Sequence, residues 1–369
     1  MRTDHSSERC ADILIIGGGV IGLLSARELV ATGVRVTLLE RQALAQESSW
    51  AGGGILSPLY PWRAPAPITE LCRWSQKVYP DMAADLREST GIDPEWIQSG
   101  LLITDCADID QASVWCETLA VPMVFPEAAC FIDLEPNLHV VPTHPLYLPD
   151  VAQVRNPRLL RALKADLINK GVSLLEHHAV THIERREGRI ECVVTAQGRF
   201  RADAYVIAAG AWSDQLGALD SFSPKVEPVK GQMLVFQAEP GLLRHIVLSE
   251  GQYLIPRQDG HILAGSTVEY SGFDKSTSPV AYDTLHSFAL TALPLLQKYP
   301  VEKHWAGLRP GSPEGIPRIG PHPNFANLYF NCGHFRNGFV MAPASARLLT
   351  DQILNRPPIL DLGPYRTLA

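Results

Sequence analysis

Asp12-Ile13-Leu14-Ile15-Ile16-Gly17-Gly18-Gly19-Val20-Ile21-Gly22 is the stretch that decides the fold. Residues 12–16 form a short, apolar, β-branched run, the pattern of a strand buried on both faces. Gly17, Gly19 and Gly22 then satisfy G-x-G-x-x-G, and residues 20–32 carry apolar side chains at helical spacing up to Gly33, a natural helix C-cap. Residues 34–39 (Val-Arg-Val-Thr-Leu-Leu) predict a second strand that delivers Glu40, 18 residues after Gly22. Together these make one βαβ unit.

Each part has a role in holding a dinucleotide. Gly17 permits the tight turn, Gly19 lets a pyrophosphate approach the backbone, and Gly22 lets helix and strand pack closely. The helix N-terminus offers free N–H groups and the positive end of its dipole. Glu40 would accept hydrogen bonds from the adenosine ribose and repel a 2′-phosphate, which makes NADP the poorest candidate ligand. Just beyond lies Ser48-Ser49-Trp50-Ala51-Gly52-Gly53-Gly54-Ile55-Leu56, a run of small residues. It reads either as a surface loop or as backbone passing close to a large flat ligand, and its place after Glu40 favours the second.

The chain has 369 residues, enough for two to three domains. Its formal charge of −7, without a dense basic run, argues against nucleic acid as a partner. Seven cysteines with no C-x-x-C pair give neither a disulfide framework nor a zinc ribbon, so a reducing compartment fits. The polar start and the glycine-broken apolar run 13–24 make neither a signal peptide nor a membrane span. A soluble, cytoplasmic protein without stable membrane insertion is expected.

Further along, residues 68–89 predict a helix, and residues 92–147 give short strand-like runs with weak periodicity. Asn156-Pro157 signals a helix start, and strands are expected at 172–176, 180–186 and 190–195. Residues 204–213 (Ala-Tyr-Val-Ile-Ala-Ala-Gly-Ala-Trp-Ser) read as a buried strand ending at Gly210, a second backbone edge for the dinucleotide. Strands at 230–236, 253–257 and 262–265 predict an antiparallel sheet with polar alternation, followed by a helix at 280–299 and a last helix at 342–354. Two arginines stand among glycines, in Trp305-Ala306-Gly307-Leu308-Arg309-Pro310-Gly311 and Gly333-His334-Phe335-Arg336-Asn337-Gly338-Phe339.

These segments, with 208–213, resemble along the whole chain the FAD-dependent D-amino acid oxidase superfamily, and within it the glycine oxidases of thiamine-biosynthesis type. The resemblance implies an α/β architecture: a Rossmann-like FAD-binding domain (1–90, 148–222 and 305–369) with an inserted antiparallel-sheet substrate domain (91–147 and 223–304). It implies non-covalent FAD held at Val20, Ile21, Glu40, Arg41, Ser48, Ser49, Gly53, Gly54, Ile55, Val180, His334, Phe335, Arg336, Asn337, Gly338, Phe339 and Val340. It implies substrate contacts at Tyr253, Arg309 and Arg336. The sequence departs from the glycine oxidase pattern at Gly251, where a histidine can stand, and at Val268, where a methionine can line the pocket.

Arg309 must be weighed against a structural arginine. It lies in a glycine-rich, apolar stretch with no nearby acid in sequence, and a planar guanidinium can grip a carboxylate with two parallel hydrogen bonds. Arg336 is open between substrate and cofactor, and Tyr253 between core and carboxylate ligand. No catalytic base or metal site is identified: His177-His178 reads as a solvated strand edge, and Cys332 as a small buried thiol rather than a flavin attachment point. The expected enzyme is an oxidase of glycine, sarcosine and small D-amino acids. It would give a 2-oxo acid, ammonia or amine, and hydrogen peroxide, feed thiazole formation, use molecular oxygen and work as a homo-oligomer. The rivals are a D-amino acid or N-methyl amine dehydrogenase that reduces a quinone, and a non-catalytic flavin-binding sensor or subunit.

Overall fold

The structure, a computed structural model, describes residues 9–139, 142–217, 222 and 224–366, and the polar stretch 1–8 lies outside it. The first strand, Arg9–Ile16, runs parallel between Val36–Leu39 and Gly198–Ile207, with Ile15 opposite Leu38 on one side and Val206 on the other. Ile13 and Ile15 pack with Leu23, Leu29 and Leu163, whereas Leu14 and Ile16 join Phe200 and Phe330 in a separate core. Both faces are covered, which is why the run shows no polar alternation.

Ser173–Leu175 and Leu328–Cys332 extend the parallel set, Arg318–Pro321 adds an antiparallel edge, and the hairpin Val180–Arg186 and Arg189–Thr195 pairs onto Gly198–Ile207. Helices Val20–Val30, Ala66–Thr90, Asn156–Asn169 and Gly338–Ile353 contribute to the core on one face.

A second, seven-stranded sheet runs in the order Val301–Gly311, Glu227–Gln237, His261–Gly265, Gln252–Pro256, Ile246–Ser249, Leu101–Ile103, Leu146–Leu148. It is mixed: antiparallel except where Ile246–Ser249 meets Leu101–Ile103 in parallel. The expected polar alternation is replaced by two apolar faces. Met233, Tyr253 and Ile255 share one core with Trp62, while Leu234 and Leu254 are covered by Leu285 and Ala289 of the helix Pro279–Ala292. Among the described residues no helix is long and apolar enough to cross a membrane.

Several sequence expectations need correction. Residues 305–311, placed with the dinucleotide domain, belong to the strand Val301–Gly311, which pairs with Glu227–Gln237 through Trp305 opposite Met233 and Arg309 opposite Val229. The helix expected at 280–299 stops at Ala292 and resumes as a 3₁₀ turn at Pro294–Lys298, because Leu293 precedes a proline and takes an extended backbone. Helices Ile109–Leu119 and Ala128–Leu134 lie in the region read as strand-like.

The last helix starts at Gly338, four residues early, and runs through Pro343. Proline cannot donate to the Phe339 carbonyl. The buried Tyr79 hydroxyl donates to it instead at 2.6 Å, and Ser75 Oγ accepts from the Ala344 amide at 3.0 Å. Those two side chains of Ala66–Thr90 carry the helix start to the edge of the site.

Candidate functional site

A cavity of about 860 Å³ opens where the two sheets meet, lined at one end by Glu40, Arg41 and Val180 and at the other by Tyr253, Arg309 and Arg336. The glycine turn lies on its wall. Gly17 has φ +116°, and a Cβ there would sit 2.3 Å from the Ala208 carbonyl oxygen, so no other residue fits. Gly19 caps the helix Val20–Val30 without a side-chain oxygen. The Val20 amide donates to Ser49 Oγ at 2.9 Å, and Val20 and Ile21 line the cavity at the helix start, where the dipole would favour a phosphate. Ala208, Ala209 and Gly210 line the same cavity, the second backbone edge expected from the sequence.

Glu40 does more than face the cavity. Its Oε2 accepts from the Gly18 amide at 2.8 Å and its Oε1 from Gln42 at 3.0 Å, tying the glycine turn to the end of the second strand. Beside it the Arg41 guanidinium lies 3.4 Å over the Trp212 ring and pairs with Glu47 at 2.5 Å.

The small-residue segment is pinned by residues distant in the chain. Asn156, expected as a helix-start residue, is the first helical residue but does not cap: its Nδ2 donates to the Ser49 carbonyl at 3.0 Å. Trp305 Nε1 donates to the Ala51 carbonyl at 3.0 Å. Arg257, buried, donates to the carbonyls of Gly53 (2.7 Å) and Val154 (3.0 Å) and to Gln153 Oε1 (2.6 Å), and burial draws its pKa down to about 10. At Gly54, with φ +75°, a Cβ would sit 2.1 Å from the Val154 carbonyl oxygen. The backbone here is thus held in place along the cavity wall.

At the other end Arg309 is half-buried. It donates to the carbonyls of Lys230 (3.3 Å) and Thr267 (3.1 Å) and to Ser266 Oγ (2.8 Å), and among the described residues it has no carboxylate partner. Desolvation holds its pKa below the ordinary guanidinium value, with Tyr253 opposing that shift and Arg336 reinforcing it. Arg336 is exposed to the cavity and likewise lacks an acidic partner among the described residues. Tyr253 is buried, its hydroxyl 3.9 Å from Met233 Sδ. The buried His334 contacts Ser345 Oγ through Nε2 at 3.0 Å, and burial lowers its pKa to about 3, leaving a neutral ring.

The cavity brings together Gly17, Gly19, Val20, Ile21, Glu40, Arg41, Ser48, Ser49, Gly53, Gly54, Ile55, Val180, Gly210, the segment 334–339, Tyr253 and Arg309. Two residues expected at the cofactor do not line it. Gly22 sits behind the turn, where a Cβ would lie 1.9 Å from the Gly17 carbonyl oxygen, so its role is close packing. Val340 is in the hydrophobic core, because the early helix start turns it inward. His178, read as a solvated edge, lines the cavity with Nδ1 2.7 Å from the Glu176 carbonyl oxygen. Arg257, Ser266 and Trp212 were not singled out as site residues in the sequence.

The glycine turn, the helix start at Gly19 and the 52–55 backbone on the cavity wall form a lining that a dinucleotide with a planar ring system, such as FAD, would fit. Comparisons agree. The chain is 46% identical to a glycine oxidase of Pseudomonas putida over 354 residues, 96% of this chain and 97% of that one. It is 33% identical to the bifunctional protein ThiO/ThiG of Synechocystis, covering 97% of this chain and 54% of that protein. The crystal structure of glycine oxidase from Geobacillus kaustophilus superposes with a TM-score of 0.93 at 29% identity, covering 98% of this chain and 99% of that one. Residues 12–352 match the family model described as FAD dependent oxidoreductase. The chain therefore belongs to the FAD-dependent oxidoreductase family, with FAD as its cofactor.

Proposed function

We propose that this enzyme oxidises glycine, sarcosine and small D-amino acids, with molecular oxygen as the electron acceptor. For glycine the balanced reaction is glycine plus oxygen plus water to glyoxylate, ammonia and hydrogen peroxide. The observation that carries the reading is Arg309: a desolvated guanidinium on the cavity wall, without a carboxylate partner among the described residues and with Tyr253 beside it. Such a group calls for an anion, and a substrate carboxylate supplies one. Bound FAD supplies the two-electron oxidant that the chain lacks and passes the electrons on to oxygen.

The protein's part is to bind, orient and desolvate. Arg309 and Tyr253 hold the carboxylate, while Arg309 and Arg336 place positive charge near the amine. That charge disfavours the ammonium form and leaves the nitrogen lone pair free to drive loss of hydride from Cα. With the carboxylate fixed by Arg309 and Tyr253, only one face of Cα would be open to bound FAD, and an L-side chain would stand where the departing hydrogen must be. The half-length match to ThiO/ThiG supports a use of the product in thiazole formation.

A kcat/KM panel measured by peroxide release tests the substrate range. Val268, 44% exposed on the cavity wall, leaves more room than methionine, so glycine, sarcosine and D-alanine are expected to react and D-phenylalanine and L-amino acids to be poor. Val268→Phe is expected to depress D-alanine more than glycine, a misfit costing ~1–3 kcal/mol per methylene. Preference for bulky D-amino acids over glycine, or turnover without peroxide, would contradict the assignment.

Non-covalent attachment is also testable. Burial pushes the Cys332 thiol up to about 12, so it stays protonated and unreactive. Acid precipitation is expected to release the yellow colour into the supernatant, and colour kept in the pellet would point to a covalent bond.

A further inference from the structure

Arg309 carries five N–H donors, and three go to Lys230 on the strand Glu227–Gln237 and to Ser266 and Thr267 just past His261–Gly265. Nη1 donates to the carbonyls of Lys230 and Thr267, and Nη2 to Ser266 Oγ at 2.8 Å. Nε–H and one Nη2–H are left over from these three bonds, with the Tyr253 hydroxyl beside the guanidinium. Its plane is fixed as well: a Cβ on Gly231 would stand 2.2 Å from Nη2 and 2.4 Å from both Cζ and Nη1, so the group lies directly against bare backbone.

The layer beneath, with Lys230 and Gln232 buried and Thr267 and Glu269 half-buried, is internally bonded. Glu269 Oε1 accepts from Thr267 Oγ1 at 2.5 Å and from Gln232 Nε2 at 2.8 Å, and its Oε2 faces Lys230 Nζ at 3.2 Å. This network fixes the two carbonyls that Arg309 uses. Three of five donors spent on fixed acceptors leave the side chain little rotational freedom.

We propose that Gly231 and Ser266 are positioning residues for substrate binding: Gly231 leaves the space in which the Arg309 guanidinium lies, and Ser266 fixes its rotation, so that only the Nε–Nη2 edge is presented to the substrate carboxylate. This rests on the reading of Arg309 as the carboxylate ligand. It goes further in assigning the geometry of that grip to two residues that need not touch substrate.

The test uses the FAD-loaded enzyme with acetate as probe, followed through the flavin difference spectrum, alongside glycine kinetics. Ser266→Ala is expected to weaken acetate and raise the glycine KM by about 5- to 10-fold, the worth of one hydrogen bond, with kcat within about twofold. Ser266→Thr keeps the hydroxyl and is expected to return both to near the parent values. Gly231→Ala is expected to weaken acetate by about 20-fold or more through overpacking, with FAD content unchanged.

If Gly231→Ala does not fold, the serine pair decides. Acetate affinity unchanged in Ser266→Ala, or not restored in Ser266→Thr, overturns the proposal provided Arg309→Ala does weaken acetate. Arg309→Ala binding acetate like the parent overturns the underlying carboxylate reading instead.

Discussion

Replacing Arg309 with alanine is expected to raise the KM for glycine and D-alanine by one to two orders of magnitude, the loss of a charge-assisted pair worth ~1.5–3 kcal/mol. Amines without a carboxylate should lose far less, because they never use the guanidinium. The structure sharpens this expectation. Arg309 makes no ion pair within the described residues, so its removal leaves no buried acid stranded, and the neutral acceptors left behind are two carbonyls and a hydroxyl. Stability should fall modestly and FAD content should hold. Arg309→Lys keeps the charge but loses the two-donor edge, and is expected to recover only part of the affinity. An equal loss for glycine and for a bare amine would reassign Arg309 to folding or cofactor binding.

Glu40→Lys is expected to weaken FAD by about 100-fold or more, since it exchanges an acceptor for a cation at the adenosine end and frees the Gly18 amide from its anchor. The carboxylate also holds Gln42, so melting should fall by a few degrees, consistent with losing two hydrogen bonds of ~1–3 kcal/mol between them. Glu40→Gln keeps an acceptor oxygen and should lie between. FAD titration of the apoproteins measures all three. Unchanged affinity with unchanged melting would place the adenosine elsewhere.

The parts legible from sequence were those whose partners lie close along the chain. Strand, glycine turn, helix and Glu40 fall within about thirty residues, and each local signal agrees with its neighbours. Arg309 stood out for a different reason, the lack of an acid near it in sequence, and the structure places it on the cavity wall. Residues 305–311 were misplaced because their membership depends on pairing with a strand some seventy residues earlier, which no local period reports. Arg257 was hidden in the same way, since the Gly53 carbonyl it holds is 204 residues away. The helix Ile109–Leu119 ends at Ala120 in a left-handed conformation, with no glycine to announce it. The helix break at Pro294 was readable and overlooked, because the apolar spacing of 280–299 outweighed the proline.

If Arg309, Tyr253 and the glycine-lined cavity present a small amino acid to bound FAD, the visible spectrum of the purified protein under anaerobic conditions must change when glycine is added. Glycine is expected to bleach the flavin band, admitted oxygen to restore it with release of peroxide, and Arg309→Ala to need far more glycine for the same bleaching. A flavin band unchanged by saturating glycine, with FAD bound, would contradict this reading of the site.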